Sequence, residues 1–580
     1  MPQSKKNDGM IMQAGILAVA GIIVRIIGLL YNSPMAVILG DEGIGYYNMA
    51  YNAYTIVLLI SSYSIPSAIS KVIAQKLAAK EYRNAHRIFK CALIYVLVVG
   101  GIASLFVFFG AGLLVQVEYA MLPLKVLAPT IFFSGILGVL RGYFQAHRSM
   151  VQTSLSQIVE QILNAVFSIL MAYLLTKAMS SRPESEQLSY GAAGGAIGTG
   201  VGVLTALLFM LGMYALNRKM ILRRVKRDRT PFDDSYGEVL KMIIMVVTPF
   251  ILSTFIYNAN VFINQTIYEN ILMRQKNLAD TLIASQMGIA GKAVKISNIP
   301  IALASAMATA LIPGISSDFA RRDLDGVKGK VAKSMKVTML IAIPAAVGIG
   351  VLARPIMWVL YPQKSSIDLS SALLSVLAVS VVFYSMSTLS NAVLQSIGKL
   401  NSPLINAALA LAIQSGALAA MLLFLDESYA PYYYIIAMAC YSLLISIFNS
   451  ISIRKNLKYR QEMGNTFLKP FLSAAVMGVV AFGVYHGLYA LLPVNILALF
   501  VSVVVAVIVY FVLVIRMGAM TEDELSGMPK GKMLVRIAKK LHLMKETRDG
   551  YDGFNEMDDS DNFDRKKVPD IEDDDYWLDD

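Results

Sequence analysis

The sequence predicts an all-α polytopic membrane protein with two pseudo-symmetric six-helix lobes and two further helices. Three observations lead to this prediction. First, 56% of the 580 residues are hydrophobic and only 16% are charged, whereas soluble domains carry about 25% charged residues. Second, the apolar runs are long and continuous, and about 20 apolar residues are enough for a helix to cross a bilayer. Third, patterns in the first half of the chain recur in the second half.

Apolar length and polar punctuation divide the chain into fourteen predicted spans. In order, they cover residues 11–39, 44–70, 88–117, 121–146, 151–177, 188–216, 238–268, 281–315, 333–361, 368–397, 402–425, 429–453, 467–491 and 493–517. The first two are joined by the short acidic turn Gly40-Asp41-Glu42-Gly43. The first apolar run is too long for a cleaved signal peptide and lacks its small-residue cleavage pattern, so we expect it to be retained.

The distribution of charge orients these spans. Lys and Arg cluster in the even-numbered loops, for example at 71–90, 218–229 and 321–333, whereas the odd-numbered loops are short and acidic or mixed. Cytoplasmic loops of membrane proteins carry an excess of Lys and Arg. We therefore predict a multi-pass protein of the cell membrane with both termini in the cytoplasm, and residues 1–9 form a short cytoplasmic N-terminus.

An internal repeat groups the spans into lobes. The segment FFSGILGVLRGYFQ (132–145) recurs as VFYSMSTLSNAVLQ (382–395), at a period of about 250 residues. Because the repeated unit holds six spans, both copies have the same topology and are related by an axis along the membrane normal. We predict an N-lobe over 10–235, with a basic cytoplasmic loop at 217–235, and a C-lobe over 236–461.

Three further segments follow the lobes. Spans 13 and 14, within 462–518, lie outside the repeat. Residues 519–548 place apolar side chains at helical spacing among lysines, which predicts either a basic amphipathic helix on the anionic inner leaflet or an ordinary solvated cytoplasmic helix. Residues 549–580 form an acidic tail that we expect to be disordered, because the last thirty residues hold 13 acidic and 3 basic side chains.

Several classes of function are excluded by missing motifs. The sequence has no GxxxxGK[ST] loop, HExxH or GxSxG motif, so neither ATP hydrolysis nor covalent catalysis is indicated. The two cysteines, Cys91 and Cys440, lie in apolar spans, and the four histidines are scattered. We therefore predict no enzyme activity, no metal site and no cofactor, and we interpret the basic excess as the loop bias of a membrane protein, with no nucleic acid as partner.

Cations at membrane depth are the first candidate site residues. Arg25 lies near the middle of span 1, and Lys292 and Lys295 lie on one face of span 8, with Asn298 one turn later. An intramembrane cation costs about 2.5–3.5 kcal/mol on insertion scales and marks a functional site by default. No acidic residue lies in the core of spans 1, 2, 7 or 8. Cations from both lobes suit an anionic headgroup such as a diphosphate; the alternative is pairing with local groups.

Uncharged polar residues and one ion pair complete the candidate set. Tyr51 and Asn52 make one side of span 2 polar, which indicates either a wet cavity that binds sugar hydroxyls or interhelical hydrogen bonds. Glu160 is the one carboxylate well inside a span, and Arg141 is its expected partner. We interpret this pair as structural, with coupling to an ion or proton as the alternative.

Three stretches carry a family resemblance. They are 25–71, which begins Arg25-Ile-Ile-Gly, RGYFQAHRSMVQTSLSQIVEQ (141–161) and IPIALASAMATALIPGISSDFARRD (299–323). They resemble the MOP exporter superfamily and, within it, the polysaccharide-biosynthesis branch of MurJ-like lipid II flippases and their Gram-positive relatives of the stage V sporulation protein B type. This resemblance implies a V-shaped, MATE-like transporter whose cationic cavity carries a lipid-linked sugar diphosphate by alternating access, with spans 13 and 14 beside a groove for the polyprenyl tail.

The resemblance also assigns roles to single residues. Arg25 matches the family's first-helix arginine, and Lys295 matches its eighth-helix arginine. Two other cationic positions of the family fall on Tyr31 and Leu58, so a less cationic cavity is implied, with Lys292 as a compensating charge.

The expected function is outward movement of an undecaprenyl-diphosphate-linked cell-wall precursor, lipid II, during peptidoglycan biosynthesis. The alternatives are a flippase for another lipid-linked oligosaccharide, a cation-coupled multidrug exporter, and a non-transporting membrane scaffold. Coupling to a monovalent cation or to the membrane potential is expected. Membrane lipids are expected contacts, the acidic tail is a candidate contact for cell-wall synthesis proteins, and the chain is expected to be a monomer.

Overall fold

The structure, a computed structural model, is helical through almost all of the residues it describes, which are 2–63, 65–147, 149–228, 235–526 and 531–540. The first half contains α1 (Pro2–Leu58), α2 (Ile65–Ala78), α3 (Tyr82–Phe109), α4 (Ala111–Leu114), α5 (Glu118–Ala146), α6 (Met150–Ala178) and α7 (Glu184–Lys226). The second half contains α8 (Tyr236–Arg274), α9 (Asp280–Ala320), α10 (Leu324–Val351), α11 (Ala353–Leu360), α12 (Ile367–Ser396), α13 (Asn401–Phe424) and α14 (Ala430–Leu457). Then follow α15 (Lys469–Leu491), α16 (Asn495–Arg516), α17 (Glu522–Ser526) and α18 (Gly531–Lys540).

Eleven helical segments within the described residues are long and apolar enough to cross a membrane. The predicted all-α membrane fold is therefore confirmed, whereas the count of fourteen spans stays a prediction. One reason for the lower number is that predicted spans 1 and 2 form a single apolar segment within Ile23–Ser62.

The predicted turn between these spans is a kink in one helix. Gly40 has φ 65° and ψ −171° inside α1, and the helix resumes directly at Asp41. Only glycine adopts such a conformation at low cost, because a Cβ would clash with the backbone. A π-helical turn, Leu59–Tyr63, then leads into α2. Asp41 and Glu42 therefore sit on a helix surface rather than in a loop.

The two halves of the chain pack in the same pattern. In the first, α5 packs against α2, α3 and α7, and α6 packs against α1 and α7. In the second, α12 packs against α9, α10 and α14, and α13 packs against α8 and α14. Each pairing in one lobe has its counterpart in the other, which confirms the two pseudo-symmetric lobes. The last two long helices, α15 and α16, pack on each other, and α15 also packs on α10.

The lobes meet most closely where the second arm of α1 crosses α9. A Cβ at Gly45 would overlap the carbonyl oxygen of Ala284, and one at Gly288 would overlap the carbonyl oxygen of Asp41. Glycine on both helices thus lets the two backbones touch, as small residues do in membrane helix pairs generally. We call this contact, residues 40–48 against 284–295, the α1–α9 crossing.

Contacts divide the chain into two units, Met1–Ala519 and Met520–Asp580. Within the second unit, Lys539 Nζ lies 2.6 Å from Glu522 Oε1, so an ion pair joins α18 to α17. The part of the predicted amphipathic segment beyond Lys540, and the acidic tail over 549–580, lie outside the described residues.

Candidate functional site

Lys292 is the most deeply buried cation at the α1–α9 crossing, with 1% of its surface exposed. Its ammonium forms an ion pair with the Asp41 carboxylate and donates to Gln363 Oε1. Gln363 in turn donates through Nε2 to the backbone oxygen of Ala36, at 2.5 Å. This network joins α1 of the first lobe to α9 and to the segment after α11 in the second lobe, and we call it the Lys292 latch.

For Lys292, this conformation shows the alternative that the sequence left open, which is pairing with a local group. The helix crossing brings Asp41, at the kink, beside a lysine 251 residues later. Neither the crossing point nor the absence of a loop at Gly40 can be inferred from apolar periodicity. Asp41 and Gln363 are accordingly two residues of the site that sequence reasoning missed, and the Gly-flanked acidic pair at 41–42 was the only signal for the first.

Lys295 lies one turn further along α9 in a different environment. Its ammonium donates to Asn32 Oδ1 at 2.6 Å and lies 5.8 Å from the centre of the Tyr47 ring. It is half-buried and forms no ion pair with any carboxylate in the described part of the chain. Lys295 is thus a cation of the second lobe whose two contacts on α1 of the first lobe are neutral, which leaves its charge available to an anion.

Arg25 does not join the two lysines. It is seven residues before Asn32 on α1, a rise of about 10 Å along a helix, and its side chain is exposed. The structure therefore separates the three predicted cations into a paired lysine, an uncompensated lysine and an exposed arginine on the other lobe. Their common role in substrate binding stays a prediction.

Of the uncharged polar candidates, one lies in the contact between the lobes and two are exposed. Asn52 Nδ2 donates to Gln265 Oε1 at 2.8 Å, so this side chain bonds across the lobes. Tyr51 is 39% exposed and stacks on Tyr47 with ring centres 5.7 Å apart. Asn298 is exposed on α9, one turn beyond Lys295. Tyr51 and Asn298 remain accessible to a ligand in this conformation.

Arg141 and Glu160 are in contact within the first lobe. Arg141 Nη2 lies 2.6 Å from Glu160 Oε2, and Arg141 Nε donates to Ser156 Oγ at 2.9 Å. Both charged side chains are largely removed from solvent, at 14% and 26% exposure. The pair joins α5 to α6, and whether it is structural or coupling stays a prediction.

A second inter-lobe contact involves Glu269, another residue that sequence reasoning missed. Glu269 is fully buried on α8, and its Oε2 accepts from the backbone N–H of Gln116 at 2.9 Å. Arg274, also on α8, donates to Gln116 Oε1 at 3.0 Å. Gln116 follows α4 in the first lobe, so these bonds close the lobes on the same side as the Lys292 latch.

A neutral polar cavity of about 250 Å³ lies among α8, α9, α12 and α13. Its polar lining comprises Thr254, Tyr257, Asn258, Ser305, Thr388, Asn391 and Gln395. Ser305 is ten residues beyond Lys295 on α9, a rise of about 15 Å. Within the described ranges no charged side chain lines this cavity, and its amides and hydroxyls match neutral hydroxylated groups rather than ions.

No group of three or more metal-ligating side chains was found in the described segments of the chain. The arrangement instead provides an uncompensated cation between two lobes, a neutral polar cavity, and a set of inter-lobe contacts at one end. Such an arrangement can bind an anionic group and release it when the inter-lobe contacts break.

Comparison with known proteins agrees with this arrangement. A family described as polysaccharide biosynthesis protein matches residues 11–318, and one described as MatE matches 266–418. Stage V sporulation protein B of Bacillus subtilis (strain 168) is 24% identical over 547 residues, which are 90% of this chain and 98% of that protein. The lipid II flippase MurJ of the same organism is 23% identical over 410 residues, 66% of this chain and 72% of that protein.

A solved structure shares the fold. The structure described as lipid II flippase MurJ in an inward closed conformation has a TM-score of 0.61, at 14% identity, and the match covers 86% of this chain and 97% of that one. Two of these three relatives are described as lipid II flippases. The chain therefore belongs to the polysaccharide biosynthesis protein family, has the apolar helices of a multi-pass membrane protein, and is similar to the lipid II flippase MurJ.

Proposed function

We propose that this chain moves a lipid-linked sugar diphosphate, lipid II, from the cytoplasmic to the outer leaflet by alternating access. The observation that carries the proposal is Lys295, a half-buried cation between the lobes whose direct bond is to the neutral amide of Asn32. A diphosphate would supply the missing negative charge, and hydrogen bonds between a cation and phosphate are among the strong ones. Arg25, two turns away on the other lobe, is proposed to meet the same headgroup during transport.

The neutral polar cavity supports a sugar-bearing substrate. A glycan attached to the diphosphate would extend away from Lys295 and would need hydroxyl and amide groups as hydrogen-bond partners. Tyr257, Asn258 and Asn391 provide such groups. A lipophilic drug cation, the substrate of the multidrug alternative, would instead be repelled by Lys295. The non-transporting scaffold hypothesis gives no role to a cation placed between two separable lobes or to a polar cavity within the second lobe.

The inter-lobe contacts support alternating access. The Lys292 latch and the Glu269 contact close the same end of the molecule, the end at which predicted odd-numbered loops lie. With both termini in the cytoplasm of a cell-membrane protein, this conformation is closed to the outside. Outward transfer of an anion is favoured by an inside-negative potential, by about 2.3 kcal/mol per charge per 100 mV, so the membrane potential or a coupled monovalent cation can drive the cycle.

Complementation tests the role of Lys295. In a strain depleted of its lipid II flippase, we expect Lys295→Ala and Arg25→Ala to abolish growth rescue while both variants reach the membrane at normal levels. The direct readout is lipid II accessibility to an outside probe after re-expression. Lys276→Ala is the matched control, because Lys276 belongs to the same lobe and contacts only groups at its own end of that lobe, Glu427 at 3.5 Å and the backbone oxygen of Leu425 at 3.4 Å. Full rescue by Lys295→Ala would refute the proposal.

Another lipid-linked oligosaccharide is the second candidate substrate. Tyr31 and Leu58 occupy positions where the lipid II flippases of the resemblance carry arginine, and Tyr31 is only partly buried beside Tyr47. The discriminating measurement is the identity of the lipid-linked glycan that accumulates in the inner leaflet after depletion of this chain in its own host. Accumulation of a glycan other than lipid II, with lipid II unchanged, would favour this candidate.

A further inference from the structure

A pocket of about 440 Å³ lies in the second lobe, apart from the α1–α9 crossing. It is formed by the beginning of α10, the later turns of α12 and α14, and the segment 458–463 that leads towards α15. The lining residues on which the inference rests are Val331, Met335, Ile451, Arg454, Tyr459 and Arg460. No residue of the first lobe lines it among those the structure describes, so it is a site separate from the one between the lobes.

The rim of this pocket carries uncompensated positive charge. Arg454 and Arg460 are both exposed, and neither forms an ion pair with a carboxylate within the described ranges. The nearest acidic residue in sequence, Glu462, accepts instead from the backbone N–H of Asn465 at 3.1 Å and from the Asn465 side chain. Each guanidinium group at this pocket can donate two parallel hydrogen bonds to phosphate oxygens, which the ammonium of a lysine cannot do.

The walls of the pocket are apolar. Val331 and Met335 on α10 are buried, and Ile451 on α14 is 59% exposed beside them. Tyr459 is half-buried, and its hydroxyl donates to Gln461 Oε1 at 3.0 Å, which orients the segment that forms the rim. A charged rim above an apolar wall matches a molecule with an anionic head and a hydrocarbon chain.

The basic residues near the pocket indicate which membrane leaflet it faces. The first turns of α10 lie within the basic segment 321–333, and the last turn of α14 carries Arg454 and Lys455. Basic segments next to membrane helices lie on the cytoplasmic side, where anionic lipids attract Lys and Arg by about 1 kcal/mol each. We propose that this pocket binds an anionic glycerophospholipid of the cytoplasmic leaflet, with the phosphate at Arg454 and Arg460 and an acyl chain along Ile451.

The bound lipid would connect two parts of the chain. Arg454 belongs to α14 of the second lobe, and Arg460 belongs to the segment before α15. A phosphate held by both arginines therefore fixes the segment 458–463 against the lobe. The proposal concerns lipid bound at the periphery of the lobe, and it stands whatever substrate passes between the lobes.

Lipid binding by the purified full-length chain tests the proposal. Native mass spectrometry in detergent would count adducts of phosphatidylglycerol and of phosphatidylcholine on the wild type, on Arg454→Gln, on Arg460→Gln and on the double variant. We expect each single substitution to weaken phosphatidylglycerol binding about tenfold, and the double variant to lose its preference for phosphatidylglycerol. Arg321→Gln/Arg322→Gln is the matched control, since it removes two exposed arginines outside the pocket and should leave binding unchanged.

Melting temperatures distinguish a variant that binds lipid less tightly from one that is less stable. Arg454 lies in the last turn of α14 and also interacts with the negative end of the helix dipole, so its removal can lower stability without any lipid. Without added lipid, we expect the double variant to melt close to the wild type. With phosphatidylglycerol, only the wild type and the control should gain stability. A double variant that gains as much as the wild type overturns the proposal.

Two further outcomes would also overturn it. Phosphatidylcholine could bind as tightly as phosphatidylglycerol, and the variants could lose the binding of both lipids equally. In that case the pocket recognises acyl chains and not anionic headgroups. If a polyprenyl diphosphate displaces phosphatidylglycerol from the wild type and does not bind the Arg454→Gln/Arg460→Gln double variant, the pocket is a loading site for substrate and not a phospholipid site.

Discussion

Asp41→Asn tests the Lys292 latch directly. The substitution removes the only carboxylate that pairs with Lys292 in the described part of the chain, while the size of the side chain is kept. Lys292 and Asp41 have 2% and 12% of their side-chain surfaces exposed. The neutral amide leaves the lysine buried with an uncompensated charge, so the conformation closed at the crossing should lose stability relative to one in which the lobes separate there.

The size of the shift follows from the burial. Breaking a buried ion pair by removing one partner costs about 3–5 kcal/mol, whereas the same pair in water contributes about 0–1 kcal/mol. The difference of about 2–5 kcal/mol corresponds to a shift of about 30- to 4,000-fold in the opening equilibrium. We expect a shift at the lower end of this range, about 30-fold, because Gln363 still accepts a hydrogen bond from Lys292.

Cysteine labelling measures this equilibrium. Cys91 and Cys440 are replaced by serine, and Met287, which is 3% exposed on α9, is replaced by cysteine. Labelling by a membrane-impermeant maleimide added outside should be slow in this background and about 30-fold faster with Asp41→Asn. Glu427→Gln, which breaks an exposed pair within one lobe, is the control and should have no effect. A labelling rate that changes less than about twofold with Asp41→Asn would show that the latch does not hold the lobes closed.

Two other features of the structure carry further predictions. Gly288→Ala should separate the lobes and accelerate labelling at position 287, because the added Cβ would overlap the carbonyl oxygen of Asp41. Gly212→Ala is the control and should leave the labelling rate unchanged, because nothing lies within 4 Å of its added Cβ. For Arg141 and Glu160, a structural role predicts that Glu160→Gln and Arg141→Gln each lower the melting temperature and that the double variant is less destabilised than the sum of the two, by about 1–3 kcal/mol. Transport that survives in the folded double variant would contradict a coupling role.

Part of the site could be predicted because charge is visible at membrane depth. Arg25, Lys292 and Lys295 stand out in apolar runs whatever their neighbours, and Arg141 and Glu160 were matched because each is the nearest opposite charge on an adjacent helix. The different environments of Lys292 and Lys295 could not be predicted. They are three positions apart, so periodicity puts both on one face, yet only Lys292 contacts the carboxylate of Asp41 at the kink.

Hydrophobicity and repetition in the sequence alone determined the fold class and the two lobes. A bilayer requires every backbone polar group to be satisfied within the segment, so long apolar runs can only be helices, and an even repeat can only produce two lobes of equal topology. Which side chains meet between the lobes was decided by tertiary structure. The contacts of Lys292 with Asp41, of Lys295 with Asn32 and of Glu269 with Gln116 join residues more than 150 positions apart. They depend on where α1 bends at Gly40 and how closely glycines let it approach α9, and neither is encoded in any local pattern.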